Sequence, residues 1–145
     1  MSRIKKVLLI LFRLMSVPYM LLIVFVTLIF RLPIHEHIVK PPFWELQEVM
    51  NGNIRMLFDI ILNTLMLVPF GFFVPLWIRK ADKPWKAALA GLIASLIIEI
   101  IQLATTRGFF EIDDLLHNTL GAFFGGILGC LLAQWIYSPD SRRQK

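Results

Sequence analysis

The sequence predicts an all-α integral membrane fold: a four-transmembrane-helix bundle with both termini cytoplasmic, its spans carrying the marks of two repeated helical hairpins. Three observations predict it. Four apolar runs, about 7–30, 57–78, 85–104 and 115–137, occupy most of the 145 residues. At 1.5 Å per residue each can cross a hydrocarbon core about 30 Å thick. The composition is 57% hydrophobic with a mean hydropathy of +0.70, above what a soluble core requires. The fifteen Lys and Arg residues are also distributed unevenly. Ten of them (Arg3, Lys5, Lys6, Arg79, Lys80, Lys83, Lys86, Arg142, Arg143 and Lys145) fall on one side of a four-span arrangement, and four (Arg31, Lys40, Arg55 and Arg107) on the other. The positive-inside rule makes the first side cytoplasmic. The net charge of +5 is therefore read as topology, and no nucleic-acid partner is expected.

The elements follow in order. The first run is too long for a cleaved signal peptide, Arg13 interrupts it, and no small-x-small site follows closely. Pro18 is expected to kink it, and Arg13 to snorkel back to the cytoplasmic interface. The loop 31–56 holds His-Glu-His at 35–37, then Lys-Pro-Pro-Phe-Trp at 40–44. An amphipathic stretch follows, read as a short interfacial helix over Trp44–Met50 and ended by the turn signal Asn51-Gly52-Asn53. Phe43 and Trp44 suit a headgroup layer. Pro69 and Pro75 bend the second span, and a tight basic turn over 79–84 leads to the third. The short link 105–114 makes spans three and four antiparallel neighbours. In span four, Gly121, Gly125, Gly126 and Gly129 read as helix-packing positions. Cys130 reads as a small apolar filler that has no intrachain disulfide partner.

One carboxylate stands inside span three. Glu99 costs roughly 2.5–3.5 kcal/mol on insertion scales unless compensated, and Gln102, at i+3, shares its face. Asp59-Ile-Ile-Leu-Asn63-Thr64-Leu65 matches Asp114-Leu-Leu-His-Asn118-Thr119-Leu120 at an offset of 55, which reads as a parallel repeat of a hairpin. Counting depth from the span ends puts Asn63, Asn118, Glu99 and Gln102 at one level, with Asp59, Arg107, Asp113 and Asp114 just above. These eight residues form the candidate functional polar cluster. Glu99 and Gln102 are either functional or a structural pair bonded to Asn63, Asn118 or Arg107. One of Asp113 and Asp114 is expected to cap its helix and Asp114 to face the cluster. Asn63 and Asn118 read as interhelical hydrogen-bonders, and Thr64 and Thr119 as bonded to their own backbone. Arg107 either neutralises Glu99 or holds a lipid phosphate. The His35–His37 motif is a weak metal signal. The acids with His117 offer ligands to a hard divalent cation, but no metal and no cofactor are expected. The sequence contains no P-loop, nucleophile elbow or Cys/His finger.

The stretches Asn63–Leu76 (NTLMLVPFGFFVPL) and Ser95–Gly129 (SLIIEIIQLATTRGFFEIDDLLHNTLGAFFGGILG) carry a specific combination. An Asn-Pro-Phe-Gly span is followed by Glu-x-x-Gln, an Arg, Asp-Asp and Asn-Thr-x-Gly, met here by Asn63, Pro69, Gly71, Glu99, Gln102, Arg107, Asp113, Asp114, Asn118 and Gly121. In this the chain resembles the VanZ-like family, small bacterial membrane proteins named for a teicoplanin-resistance protein. The resemblance covers about 57–135, and the whole chain, 1–145, is read as a single domain of that kind. It implies a multi-pass protein of the bacterial cytoplasmic membrane. For some members it implies reduced susceptibility to glycopeptide or lipoglycopeptide antibiotics, and it supplies no established reaction. The expected function is therefore modulation of the cell envelope through a polar site at the outer leaflet. The expected partners are membrane lipids and a glycopeptide antibiotic or lipid-linked wall precursor. The alternative is a membrane enzyme acting by acid–base chemistry on a lipid headgroup or a wall precursor.

The topology is directly testable. In a Cys130→Ala background, Ser2→Cys and Asp82→Cys should resist an impermeant thiol reagent applied to intact cells, whereas a cysteine in the 31–56 loop should react. Labelling of Asp82→Cys from outside would overturn the assignment.

Overall fold

A computed structural model describes residues 1–31, 33 and 37–139. His35 and Glu36 of the His-x-His motif lie outside the described residues, as do Asp140, Arg142, Arg143 and Lys145 at the C-terminus. The elements are α1 (Arg3–Val24), a π-helical turn (Phe25–Ile29), β1 (Val39–Lys40), α2 (Trp44–Met50), α3 (Ile54–Met66), α4 (Val68–Trp77), α5 (Pro84–Thr105), β2 (Phe110–Glu111) and α6 (Ile112–Tyr137). Four helical stretches are long and apolar enough to cross a membrane: Arg3–Ile29, Ile54–Trp77, Pro84–Thr105 and Ile112–Tyr137. Each contains one of the apolar runs almost entirely.

The chemistry of each element explains its ends. Ser2 Oγ accepts the Lys5 amide at the start of α1, a standard N-cap. α1 runs unbroken through Pro18, and the departure from α geometry comes later, at Phe25–Ile29. Span two breaks at Leu67. Pro69 falls in the first turn of α4, where its missing N–H has no helical partner to lose. The Tyr19 hydroxyl donates to the Met66 carbonyl at that break, serving an acceptor freed by the end of α3. Arg13 reaches back to the end of α4. Its Nε and Nη2 donate to the Leu76 carbonyl at 3.0 and 2.8 Å, because the last turn of α4 leaves that acceptor orphaned.

α6 is the central helix, packed along both α4 and α5 and against α3. Its glycines permit this. A Cβ on Gly121 would stand 1.9 Å from the Thr64 carbonyl oxygen, and one on Gly125 would stand 1.8 Å from that of Val68. Backbone thus lies on backbone between spans two and four, the close approach that small residues give membrane helices.

Polarity is inverted relative to a soluble protein. Leu14, Leu21, Leu62, Leu128 and Leu131 face outward, while Ser95, Glu99, Gln102, Asp113, Asp114 and Asn118 are buried. That is the arrangement a lipid solvent imposes. The buried apolar residues lie below this polar group. Ile23, Leu67 and Ala122 form one cluster, and Leu9, Phe73, Leu76, Ala133 and Ile136 form another nearer the termini. Lys5 Nζ donates to the Ser138 carbonyl and hydroxyl at 3.1 and 3.0 Å, so the chain's two described ends meet at one end of the bundle. Cation–aromatic contacts ring that end, with Lys5 over Trp135, Arg13 over Trp77 and Arg79 over Tyr137, residue types that anchor at membrane interfaces. Asp82 there accepts from Lys86, which holds its carboxyl below the usual range. At the opposite end β1 and β2 pair in parallel, Val39 with Phe110 and Lys40 with Glu111, tying the first long loop to the α5–α6 link.

The α4–α6 contact has no slack. Gly125→Ala should destabilise the purified protein by about 1–3 kcal/mol or more, since a carbonyl cannot swing aside as a side chain can. Thermal unfolding in detergent micelles checks this, and an unchanged midpoint would contradict the backbone contact.

Candidate functional site

At the end of the bundle away from the termini, a cleft of about 370 Å³ opens among the loops and helix ends. Its cations are Arg31 and Arg107, and its acids are Glu45, Asp59, Glu111 and Asp114. Trp44, Met56, Asn63, Gly108 and Phe109 complete the wall. Four carboxylates against two guanidinium groups make it formally acidic.

Each wall has a local cause. α2 is held by Asp113, which is the first buried acid of α6 yet caps a different helix. Asp113 Oδ1 accepts the Phe43 amide at 2.6 Å, and Oδ2 accepts the Glu45 amide at 3.2 Å. Phe43 stands in the left-handed region at φ 63°, a conformation uncommon for a bulky residue, and its amide is one of the two that Asp113 ties down. The same capping sends the Glu45 side chain inward, where it is buried. Lys40 lies 4.6 Å from the ring centroids of both Trp44 and Phe109, closing the side of the cleft next to the paired strands. Trp44 Nε1 donates to Glu111 Oε2 at 3.2 Å.

The eight sequence candidates divide into two sets. Asp59, Asn63, Arg107 and Asp114 line the cleft. Glu99, Gln102, Asp113 and Asn118 lie behind it, buried to within 3% of complete enclosure. Asp59 is exposed and Asp114 buried, so the matched acids of the repeat have unequal surroundings. Asn63 Nδ2 donates to Asp114 Oδ1, joining span two to span four. Asn118 Nδ2 donates to Ser95 Oγ at 2.8 Å, joining span four to span three. Thr64 and Thr119 bond to the carbonyls of Ile60 and Leu115, each one turn back. Gln102 Nε2 donates to the Thr27 carbonyl at 2.8 Å, which fastens the π-helical turn of span one to α5.

Of the two roles open to Arg107, pairing with Glu99 is not formed. Glu99 Oε2 accepts the Glu111 backbone amide at 2.8 Å, and its carboxyl neighbours that of Asp114. Arg107 Nη1 donates instead to the carbonyls of Leu28 and Ile29, at 3.4 and 3.1 Å, acceptors that the end of span one leaves open. The guanidinium beside the buried acids is that of Arg31, whose Nη2 is 4.0 Å from Asp114 Oδ2. Burial, with the charges of Asp114 and Glu45 adding to it, pushes the Glu111 carboxyl up to about 7, as desolvation and like charge both disfavour ionisation. His37, the described histidine of the His-x-His motif, has its Nδ1 2.9 Å from the Leu103 carbonyl and takes no part in the acidic cluster. Glu45, Arg31, Glu111 and Trp44 were missing from the sequence candidates. Three of them come from the long first loop, which the β1–β2 pairing and the Asp113 cap on α2 bring over the helix ends.

The family model described as VanZ/LLP1 matches residues 14–134. Among curated proteins, Protein VanZ of Enterococcus faecium is 34% identical over 74 residues, 51% of this chain and 44% of that relative. The match therefore spans less than half of the relative's length. No solved structure matches.

The Asp113 cap gives a local prediction. Asp113→Ala should expose the Phe43 and Glu45 amides and cost α2 about 1 kcal/mol. Hydrogen exchange over residues 43–47 should then quicken by roughly fivefold, while the amides of α5 and α6 keep their protection. Unchanged exchange in α2 would show that other contacts hold it.

Proposed function

The chain belongs to the VanZ/LLP1 family, and on that premise we propose that it is an envelope-modulating membrane protein. In this reading its cleft engages the polar headgroup of an amphiphile at the outer leaflet and lowers susceptibility to glycopeptide or lipoglycopeptide antibiotics. The observation that carries the reading is the cleft itself: charged groups of both signs gathered at one end of an otherwise apolar bundle. Charged side chains at membrane depth are expensive and mark sites of use. The wall mixes Trp44, Met56 and Phe109 with Arg31, Asp59 and Glu111, a combination suited to a ligand with an apolar body and a charged head. The crowding of described basic residues at the other end, Arg3, Lys5, Lys6, Arg79, Lys80, Lys83 and Lys86, supports a cleft that faces outward. The resistance role comes from the resemblance to VanZ-like proteins, and a fold alone does not fix it.

The test uses teicoplanin susceptibility of cells with and without the protein, at matched membrane abundance. Asp59→Asn and Glu111→Gln change cleft charge without emptying the core, and should return susceptibility to that of cells lacking the protein. Glu99→Gln keeps an acceptor for the Glu111 amide and should remain abundant. Full protection by both Asp59→Asn and Glu111→Gln would overturn the cleft as the working site. A profile of lipids and lipid-linked wall precursors separates modulation from catalysis. Unchanged covalent species with altered antibiotic binding supports modulation, and a new or depleted species overturns it.

A further inference from the structure

Three side chains from two elements converge beside the cleft, two of them, Glu45 and Asp114, in its wall. Asp114 and His117 are three residues apart on α6 and so share a face. Glu45 comes across from α2, placed there by the Asp113 cap on its own amide. One ligand atom from each (a carboxylate oxygen of Glu45, one of Asp114 and a ring nitrogen of His117) lies within 4.8 Å of the other two.

Two details go beyond proximity. Glu45 is 3% exposed, and its Oε2 has no hydrogen-bond partner; the same is true of His117 Nδ1. These two atoms are 3.2 Å apart, close enough to bond, yet their alignment fails hydrogen-bond geometry. With the imidazole protonated the two atoms make an ion pair; with it neutral, both hold lone pairs for a further atom. A buried carboxylate oxygen left in that state is costly in a low dielectric. A third atom placed between them would satisfy both. The remaining groups already serve such an atom. Asn63 donates to Asp114 Oδ1, which fixes the carboxylate and leaves Oδ2 toward Arg31, the kind of outer hydrogen bond that orients metal ligands.

We propose that Glu45, Asp114 and His117 bind one divalent first-row cation, zinc or manganese, at the wall of the cleft. One imidazole with two carboxylates suits these ions better than magnesium or calcium, which favour all-oxygen shells. Zinc ligands at about 2.0–2.2 Å in a tetrahedral set stand roughly 3.4 Å from one another. The Glu45–His117 pair is already at that spacing, and the Asp114 ligand atom lies within 4.8 Å of both. The three protein ligands leave coordination positions open toward the cleft that Glu45 and Asp114 line. The 18% exposure of the His117 side chain gives a path for entry. The bound ion would offset the formal acidity of the cleft.

The experiment uses the full chain in detergent micelles, stripped with EDTA and dialysed, and titrated with ZnCl₂, MnCl₂, MgCl₂ and CaCl₂ by calorimetry. About one equivalent of zinc or manganese should bind, and magnesium and calcium at least tenfold more weakly. Glu45→Gln, which keeps shape, and His117→Ala should each weaken binding by at least tenfold, with His37→Ala as a histidine control that leaves it intact. Thermal unfolding verifies that each variant is folded. Cobalt(II) gives a second readout: its visible bands should shift in His117→Ala and not in His37→Ala. Three results would overturn the site: no saturable binding by the wild type, binding untouched by both Glu45→Gln and His117→Ala, or equal loss in His37→Ala. Absence of binding together with a lower midpoint for Glu45→Gln would show an ordinary Glu45–His117 ion pair instead.

Discussion

The Asp113 carboxylate holding the Phe43 and Glu45 amides is the contact on which the polar end of the molecule depends. Without it, α2 is a seven-residue helix, too short to persist alone in water. With it, α2 becomes a lid over the helix ends, Glu45 turns inward, and Trp44 meets Glu111. Helices normally cap themselves. Here an acid in the first turn of one helix spends both oxygens on another, so the first long loop and the start of α6 form one structural unit.

Below that unit the constraint is the lipid. Each buried polar group must find its partner within the protein, and most do so between spans: Asn63 with Asp114, Asn118 with Ser95, Gln102 with Thr27, Arg13 with Leu76. These bonds reach every span, so polar groups that are costly singly become the ties between helices. The glycine face of α6 makes the distances work by letting α4 approach backbone to backbone.

Much of this was legible in the sequence. The four apolar runs placed the spans, because a hydrocarbon solvent reads length and polarity directly. The short helix at Trp44–Met50 was marked by its amphipathic pattern and the Asn-Gly turn that ends it. The span-two break was marked by Pro69. Depth counting gathered Glu99, Gln102, Asn63 and Asn118 at one level, but it could not say which of them face a cleft. That depends on the loop lying over them, and the loop is placed by two parallel residue pairs and the Asp113 cap, long-range contacts with no local signature. Arg107 was the plausible partner of Glu99 by charge. The structure gives the Glu99 carboxylate a backbone amide and gives Arg107 two carbonyls at the end of span one, acceptors that a helix end leaves without a partner in the helix.

The apolar floor of the bundle has a directional consequence. The buried polar column ends at the level of Ser95, Thr27 and Asn118, and beneath it Ile23, Leu67 and Ala122 close the interior, followed by Leu9, Leu76 and Ile136. The next buried polar side chains, Ser16 and Lys5, belong to the end where the termini meet. The described interior therefore has the plan of a cup, polar toward the cleft and apolar beneath it. If the proposed amphiphile is what the cleft receives, that plan has it arrive at the rim by sliding sideways within a single sheet of lipid.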